Sequence, residues 1–193
     1  MTRNIFFSSD PHLFHENFLT FEDDNGQLIR PFASVEEMNE KFVDGCRSVM
    51  RDGDIFYLLG DVTFDYSEKF DALMSRIPGS KRLLLGNHDK IKGTSLLKHF
   101  KKVGLWRVFT EYDFTCSHIP LRLDQLRKTR FNVHGHIHQN VMDDPHYINV
   151  CVEQTNYVPM ALEEIQFEIC RRLLNMPAND NKQEGSECEL LAA

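Results

Sequence analysis

Short apolar runs that each end in a polar cluster constrain the fold of this chain more than any other feature of its sequence. Three lie in the first half, each followed directly by its cluster: "RNIFFSS" (3–9) before Asp10-Pro11-His12, "DIFYLLG" (54–60) before Asp61, and "KRLLLG" (81–86) before Asn87-His88-Asp89. Runs of this length predict buried β-strands. Loops converge on the carboxyl ends of strands in an α/β sheet, so we expect these clusters to lie together.

Helical patterns alternate with these runs. Ser34 and Glu37 fit a capping box, and apolar residues recur at helical spacing from Val35 to Cys46, which predicts a helix. Further helices are predicted at 67–76, near 94–101 and at 161–174, and strand-like segments lie within 106–120, 130–138 and 146–154. This order predicts an α/β protein with one or two central sheets.

Length and charge limit the classes of protein that this chain can belong to. Its 193 residues are enough for one sizeable core, and we predict a single domain at 1–175 with a disordered acidic tail at 176–193. The net charge of −7 argues against a broad basic surface, so extended nucleic acid is not an expected partner.

The chain also lacks the sequence features of membrane and secreted proteins. No apolar run approaches the roughly 18–20 residues that cross a bilayer, and the N-terminus lacks a signal-peptide apolar stretch. The five cysteines are scattered and include no Cys-x-x-Cys pair, so no disulfide framework is expected. We therefore expect no membrane partner and a cytoplasmic location.

Two more polar clusters follow predicted strands in the second half: Ser117-His118 and Gly135-His136-Ile137-His138. Oxygen and nitrogen donors without thiolate suit Mn, Fe or Zn better than a closed structural zinc site. Seven candidate ligands are too many for one tetrahedral ion, and they suit two ions with Asp61 as the bridging carboxylate. Each cluster alone has an ordinary structural reading as a turn or a buried histidine, and it is the joint pattern that predicts a metal site.

The blocks "DPH", "GDV", "GNHD", "SH" and "GHIH" resemble the five motifs of the calcineurin-like metallophosphoesterases, in particular the small stand-alone bacterial and phage members. The resemblance runs from about residue 5 to residue 170. It implies a four-layer α/β/β/α sandwich, in which two packed mixed sheets are flanked by helices. It also implies two divalent metal ions, with Mn preferred over Fe or Zn. It assigns one ion to Asp10, His12 and His138, the other to Asn87, His118 and His136, and both to Asp61.

The implied activity is hydrolysis of a small phosphoester, such as a nucleotide, by a phosphodiesterase or a phosphomonoesterase. A metal-bound hydroxide would attack phosphorus in line with the leaving oxygen. His88 is the predicted general acid, with Asp89 orienting its ring, and the alternative for His88 is a structural histidine behind the ligands. Arg30, Arg122 and Asn17 are candidate substrate contacts, although surface arginines are usually solvated.

Two histidines near these motifs receive no ligand role. His134 precedes the "GHIH" block as a neighbour of the site, and His15 is expected to line the pocket or to pack.

Two rival functions remain open. The first is a nuclease of the same superfamily, against which the acidic composition argues. The second is a non-catalytic interaction scaffold on the same fold, against which the complete set of ligands argues. The physiological substrate, the native metal pair and the oligomeric state are not predicted.

Overall fold

Two mixed β-sheets form the centre of the protein, whose computed structural model describes residues 3–92 and 94–176. In chain order the strands are β1 (Ile5–Ser8), β2 (Ile55–Leu58), β3 (Ser80–Leu84), β4 (Lys102–Gly104), β5 (Trp106–Phe109), β6 (Phe114–Ser117), β7 (Phe131–His134), β8 (Tyr147–Asn149) and β9 (Met160–Ala161). The first sheet has the order β4-β3-β2-β1-β9 and the second has the order β5-β6-β7-β8.

Strand directions make both sheets mixed. Strands β1 to β4 are parallel, and β9 runs antiparallel to β1. In the second sheet β6, β7 and β8 are parallel, and β5 runs antiparallel to β6. The predicted α/β class with two packed mixed sheets is therefore confirmed.

Helices occupy most of the positions where helical spacing predicted them. The α-helices are α1 (Val35–Val49), α2 (Glu68–Arg76), α3 (Val152–Thr155) and α4 (Leu162–Asn175), and 3-10 turns lie at Glu16–Thr20, Leu96–His99, Thr110–Tyr112 and Leu123–Gln125. Helix α1 begins as predicted, because Oγ of Ser34 accepts the backbone N–H of Glu37 at 3.1 Å. The Glu37 carboxylate accepts from Ala33 at 2.8 Å, one residue earlier than in a standard capping box.

The alternation of side chains along β1 explains why its whole run is apolar. Phe6 belongs to the core that the first sheet forms with α1 and α2, which also contains Phe42. Phe7 points to the opposite face and packs in the core between the two sheets, where its ring meets Phe114 at a centroid distance of 5.7 Å. Both faces of this sheet are covered, so its strands read as continuous apolar runs.

The outer face of the second sheet is covered by segment 118–130, which contains a single 3-10 turn. Oγ1 of Thr115 and Oγ1 of Thr129 are hydrogen-bonded at 2.7 Å, and the Asn132 side chain accepts the backbone N–H of Leu121 at 2.7 Å. Segment 118–130 is thereby fixed to β6 and β7. Helix α4 packs beside β8, where the Arg172 guanidinium donates to the carbonyl of Tyr147 at 2.5 Å.

Among the strands and α-helices, three short ones were not predicted: β4, β9 and α3. The division into a domain at 1–175 and a tail at 176–193 stays a prediction and, apart from Met176, the tail lies outside the described residues. Within the described part of the chain, none of the helices combines the length and the apolar character needed to cross a bilayer.

Candidate metal centre

The polar clusters meet where the two sheets join. Beyond the ends of β1 and β8 the chain pairs across the sandwich: Ser9 donates its N–H to Val150 at 2.9 Å, and Val152 donates to Ser9 at 3.1 Å. This bridge places the loop after β1 beside the loops that follow β7 and β8. Motifs that lie more than 120 residues apart in the sequence thereby reach one edge of the molecule.

Three overlapping groups of side chains at this edge have their potential ligand atoms within 4.8 Å of one another. They are Asp10, His12 and Asp61; Asp61, His118 and His136; and Asp10, His138 and Cys151. Asn87 adjoins the second group, because its Oδ1 lies 2.9 Å from Nε2 of His118. The structure thus brings all seven predicted ligands together, in clusters that can hold metal ions. Cys151 also belongs to the third group, but it differs from the seven predicted ligands because burial raises the pKa of its thiol well above the usual range.

Asp10 has one carboxylate oxygen engaged and one left over. Its Oδ2 accepts from Oγ of Ser9 at 2.5 Å and from the backbone N–H of His136 at 2.8 Å. Its Oδ1 is buried without a partner and lies 3.6 Å from Nε2 of His12. Burial alone would raise the pKa of Asp10, but the nearby ring of His12 and the charges of His118 and His138 lower it below its usual range. The group is therefore an anion with a free ligand atom.

His12 is the clearest sign that a cation belongs here. The side chain is 3% exposed, and neither of its ring nitrogens has a hydrogen-bond partner. Nε2 lies 3.7 Å from Oδ2 of Asp61. Burial lowers the pKa of His12, so the ring is a neutral imidazole, which is the form that ligates metals. Buried polar groups without partners are rare, and a metal ion would satisfy this one.

His118 is oriented by the backbone of the chain beyond β2. A carbonyl oxygen only accepts hydrogen bonds, so the 2.7 Å contact with Leu59 places the ring hydrogen on Nδ1. Nε2 then faces two oxygens, Oδ1 of Asn87 at 2.9 Å and Oδ2 of Asp61 at 3.4 Å. Only a cation or a proton at Nε2 satisfies all three atoms. Burial opposes protonation, but Asp61 and Asp10 raise the pKa of His118.

His138 is held by a carboxylate that the sequence did not single out. Its Nδ1 donates to Oε1 of Glu153 at 3.0 Å, which leaves Nε2 for a ligand. The same oxygen accepts from Nε of Arg30 at 2.9 Å and from Nη2 at 2.5 Å. The strand-like segment predicted at 146–154 gave no signal for Glu153, because β8 ends at Asn149 and Glu153 lies in α3.

Arg30 does not take its predicted role as a substrate contact, because its side chain is only 1% exposed. Its guanidinium donates to the carbonyl of Asp10 at 2.7 Å and to that of Pro11 at 2.9 Å, in addition to Glu153. The side chain also lies over the ring of Phe18, with Cζ 3.9 Å from the centroid. Arg30 therefore joins the loop that carries Asp10 to the carboxylate that orients His138.

Asp89 likewise has a different role from the predicted one. Its two carboxylate oxygens accept backbone N–H groups from Gly86 at 2.8 Å, Val62 at 2.9 Å and Asp61 at 3.1 Å. Burial raises the pKa of Asp89. The carboxylate thus fixes the loops after β2 and β3 against each other, and the prediction that it orients the ring of His88 is wrong.

Left-handed backbone conformations are concentrated among the candidate ligands. The residues and their φ angles are Asp10 (58°), His12 (46°), Asp61 (50°), His136 (73°) and His138 (51°). Such conformations cost on the order of 1–3 kcal/mol each for residues other than glycine, and they cluster at functional sites. The fold therefore keeps five strained residues at one edge, which an ordinary set of turns would not require.

Close packing explains two of the motif glycines. A Cβ at Gly86 would overlap the carboxylate of Asp61, and one at Gly135 would overlap the side chains of Ser9 and Asp10. Both positions therefore need the absence of a side chain, because the loops that carry the ligands touch there.

The open side of the site carries His88. Its backbone N–H donates to Oδ1 of Asp61 at 2.8 Å, and its exposed ring lies 5.7 Å from the ring of His12, centroid to centroid. Phe64 packs beside it at 5.3 Å and stacks on His15 at 3.9 Å. Burial and neighbouring cationic groups lower the pKa of His15 to about 4. His88 thus borders the clusters on their exposed side.

The remaining predicted residues lie outside the three clusters. His134 is buried, and its Nδ1 contacts the carbonyl of Gly135 at 2.8 Å. Arg122 is exposed and pairs with Asp124 at 2.6 Å, and Asn17 is exposed on the first 3-10 turn. Substrate contact by Arg122 or Asn17 stays a prediction.

The fold and this site define an α/β protein with two packed sheets and a candidate metal centre at one edge of the sandwich. The chain is 31% identical over 172 residues to the uncharacterized protein MJ1445 of Methanocaldococcus jannaschii, a match that spans 84% of this chain and 89% of that protein. The chain therefore belongs to the family of that archaeal protein. No protein-family model matches the chain.

Two further comparisons found similar proteins. The chain is 32% identical over 124 residues to the Gene 66 protein of Mycobacterium phage L5, across 62% of this chain and 56% of the phage protein. It also resembles the crystal structure of AQ665, a protein of unknown function from Aquifex aeolicus, with a TM-score of 0.68 and 25% identity. That match covers 85% of this chain and 98% of the Aquifex chain.

Proposed function

We propose that the protein is a metal-dependent hydrolase of small phosphoesters, of the calcineurin-like metallophosphoesterase type. The observation that carries the proposal is the convergence of seven oxygen and nitrogen side chains in overlapping clusters that share Asp10 and Asp61. The unpartnered atoms of Asp10 and His12 support the presence of cations. Imidazole, carboxylate and amide ligands suit Mn, Fe or Zn, and we propose Mn as the preferred metal.

Two ions fit the arrangement better than one. Asp10, His12 and His138 would hold the first ion, Asn87, His118 and His136 would hold the second, and Asp61 would contact both. Asp61 suits this role because it lies in one cluster with Asp10 and His12 and in another with His118 and His136. Burial raises its pKa, but the hydrogen bond and charge of His118 and the backbone N–H of His88 together lower it below its usual value, so it is an anion that can attract two cations.

The charge of the loaded site favours an anionic substrate. Two divalent cations contribute +4 and the two aspartates contribute −2, which leaves +2 in a protein whose net charge is −7. When bound, such ions activate water at neutral pH and neutralise charge on phosphate oxygens. Hydrolysis consumes one water and breaks one P–O bond. The leaving oxygen must take up a proton to be released as an alcohol. His88 borders the clusters and is exposed, so we assign the donation of that proton to its ring.

A panel of substrates tests the proposal. Protein loaded with Mn²⁺ is assayed with bis-nitrophenyl phosphate, nitrophenyl phosphate, cyclic nucleotides and single-stranded DNA, with Asp61→Asn as the inactive control. Hydrolysis of a small ester by the wild type alone supports the proposal and separates diesterase from monoesterase. Activity confined to DNA would indicate a nuclease. Full metal loading without any hydrolysis would indicate an interaction scaffold.

A further inference from the structure

An apolar cleft of about 500 Å³ opens directly beside the candidate metal centre. At one end it is bordered by Asn87 and His118, which also belong to the centre. The rest of its wall is formed mainly by six apolar side chains: Leu85, Ile91, Leu105, Trp106, Ile119 and Leu121. A volume of this size accommodates a small organic group.

The wall of this cleft exposes more apolar surface than the fold requires. Trp106 is 62% exposed, Leu105 60%, Ile119 50% and Ile91 46%. Leu105 lies at the corner where the chain leaves β4 of the first sheet and enters β5 of the second. Exposed apolar side chains scattered singly are ordinary, but several of them around one concave site indicate a binding surface.

The polar side chains of the wall are engaged within the protein. The Asp89 carboxylate accepts three backbone N–H groups, and Oγ of Ser117 donates to the carbonyl of Ile119 at 2.7 Å. The cleft is therefore suited to a group that needs contact area more than hydrogen bonds.

We infer that this cleft binds the apolar organic group of a phosphoester whose phosphate lies at the metal centre. The inference rests on the proposed function and adds the substrate class: esters that carry an alkyl or aryl group. Asn87 and His118 border both the cleft and the centre, so a phosphate held there would direct one ester substituent along the apolar wall. Specificity would then come from the size of that substituent.

A series of nitrophenyl alkyl phosphodiesters with one constant leaving group tests this inference. We expect kcat/KM of the Mn²⁺-loaded protein to rise about fourfold for each methylene that enters the cleft, or roughly 60-fold from methyl to butyl. Leu105→Ala and Trp106→Ala should flatten the series while hydrolysis of the methyl ester persists. Trp106→Phe should retain the dependence of kcat/KM on chain length. Leu174→Ala should retain it too, because it alters an apolar residue on α4 that is about as exposed as Leu105 and Trp106. A flat series in the wild type, with hydrolysis intact, would overturn the inference and leave the proposed function standing.

Binding can be measured separately from turnover by tryptophan fluorescence, because Trp106 in the cleft is the single tryptophan of the chain. Butylphosphonate should shift the tryptophan emission of the Mn²⁺-loaded protein to shorter wavelength, and methylphosphonate should do so much more weakly. Ile119→Ala should weaken the response to butylphosphonate by about fivefold. If all esters resist hydrolysis but this titration succeeds, the proposed function fails while the cleft is confirmed as a binding site. Equal responses to both phosphonates, or an emission that changes with self-association in sedimentation, would overturn the inference.

Discussion

At the scale of single residues, Glu153 controls the ring of His138 without belonging to the predicted ligands. Its carboxylate holds Nδ1 of His138 and the guanidinium of Arg30 at the same time. Groups that orient metal ligands typically change metal affinity 10- to 100-fold when they are altered. We expect Glu153→Gln to weaken Mn²⁺ binding within that range, as measured by calorimetric titration. Glu163→Gln, on the exposed face of α4, is the control and should bind like the wild type.

His88 tests the assignment of the proton donor at the same scale. Its ring is exposed beside the clusters, and it is not among the residues that would hold an ion. His88→Ala should keep both metal ions and lose about 10²- to 10⁴-fold in turnover of alkyl esters, with a smaller loss for nitrophenol esters that leave without protonation. Metal content and kcat are measured on the same samples. A parallel fall of the two would indicate that His88 supports the structure of the site.

The lowered pKa of His15 predicts how the stability of the folded protein depends on pH. Its pKa is about 4 in the folded protein and about 6.5 when exposed, so the unfolded state binds more protons between these values. The resulting stability is fully present above pH 6.5 and is lost as the pH falls toward 4. Urea unfolding in the presence of a chelator, at pH 7.5 and pH 5, should show a smaller loss for His15→Phe than for the wild type. An equal loss in both proteins would contradict this assignment.

At the scale of elements, the contact between the loops after β1 and β7 depends on Gly135. A Cβ there would overlap Ser9 and Asp10, so Gly135→Ala should destabilise the fold by about 1–3 kcal/mol. Gly53 has open space around its Cβ position and is the matched control, with a change of about 0.5–1 kcal/mol at most. Urea unfolding of the two variants gives the comparison, and equal effects would show that packing at Gly135 is not the cause.

Most strands and helices could be predicted, because their signals are local. The run before Asp10 is apolar throughout since both faces of β1 are covered, and the cap at Ser34 is visible within four residues of sequence. The two-residue strand β9 carries too few side chains for a periodic pattern. It forms because it pairs with β1.

The positions of the candidate ligands could be predicted from strand ends, but the partners of Arg30 and Asp89 could not. Arg30 meets Glu153 across 123 residues of sequence, and no local pattern encodes such a contact. The same holds for Asp89, whose carboxylate turns toward the backbone of Asp61 and away from the adjacent histidine. Sequence reasoning identified the residue types that the site needs and failed where tertiary packing decides which group each side chain meets.

At the scale of the whole molecule, we expect metal binding and stability to be coupled, because the clusters join loops from both sheets. Ions that bind only the folded chain should raise its melting temperature by roughly 5–10 °C when Mn²⁺ is present at about 100 times its dissociation constant. Scanning calorimetry with Mn²⁺ and with chelator measures the shift, and Asp61→Asn should show little of it. An unchanged melting temperature in the wild type would contradict the assignment of cations to this edge.

The left-handed residues at the centre have a consequence for how this protein would change under mutation. At His12 and His138 a glycine would relieve the backbone and discard the imidazole in one step. The proposed ligand role and the stability of the fold therefore favour different residues at these two positions. If the proposed activity were no longer under selection, such substitutions would accumulate and give more stable descendants that keep the sandwich but lose candidate metal ligands.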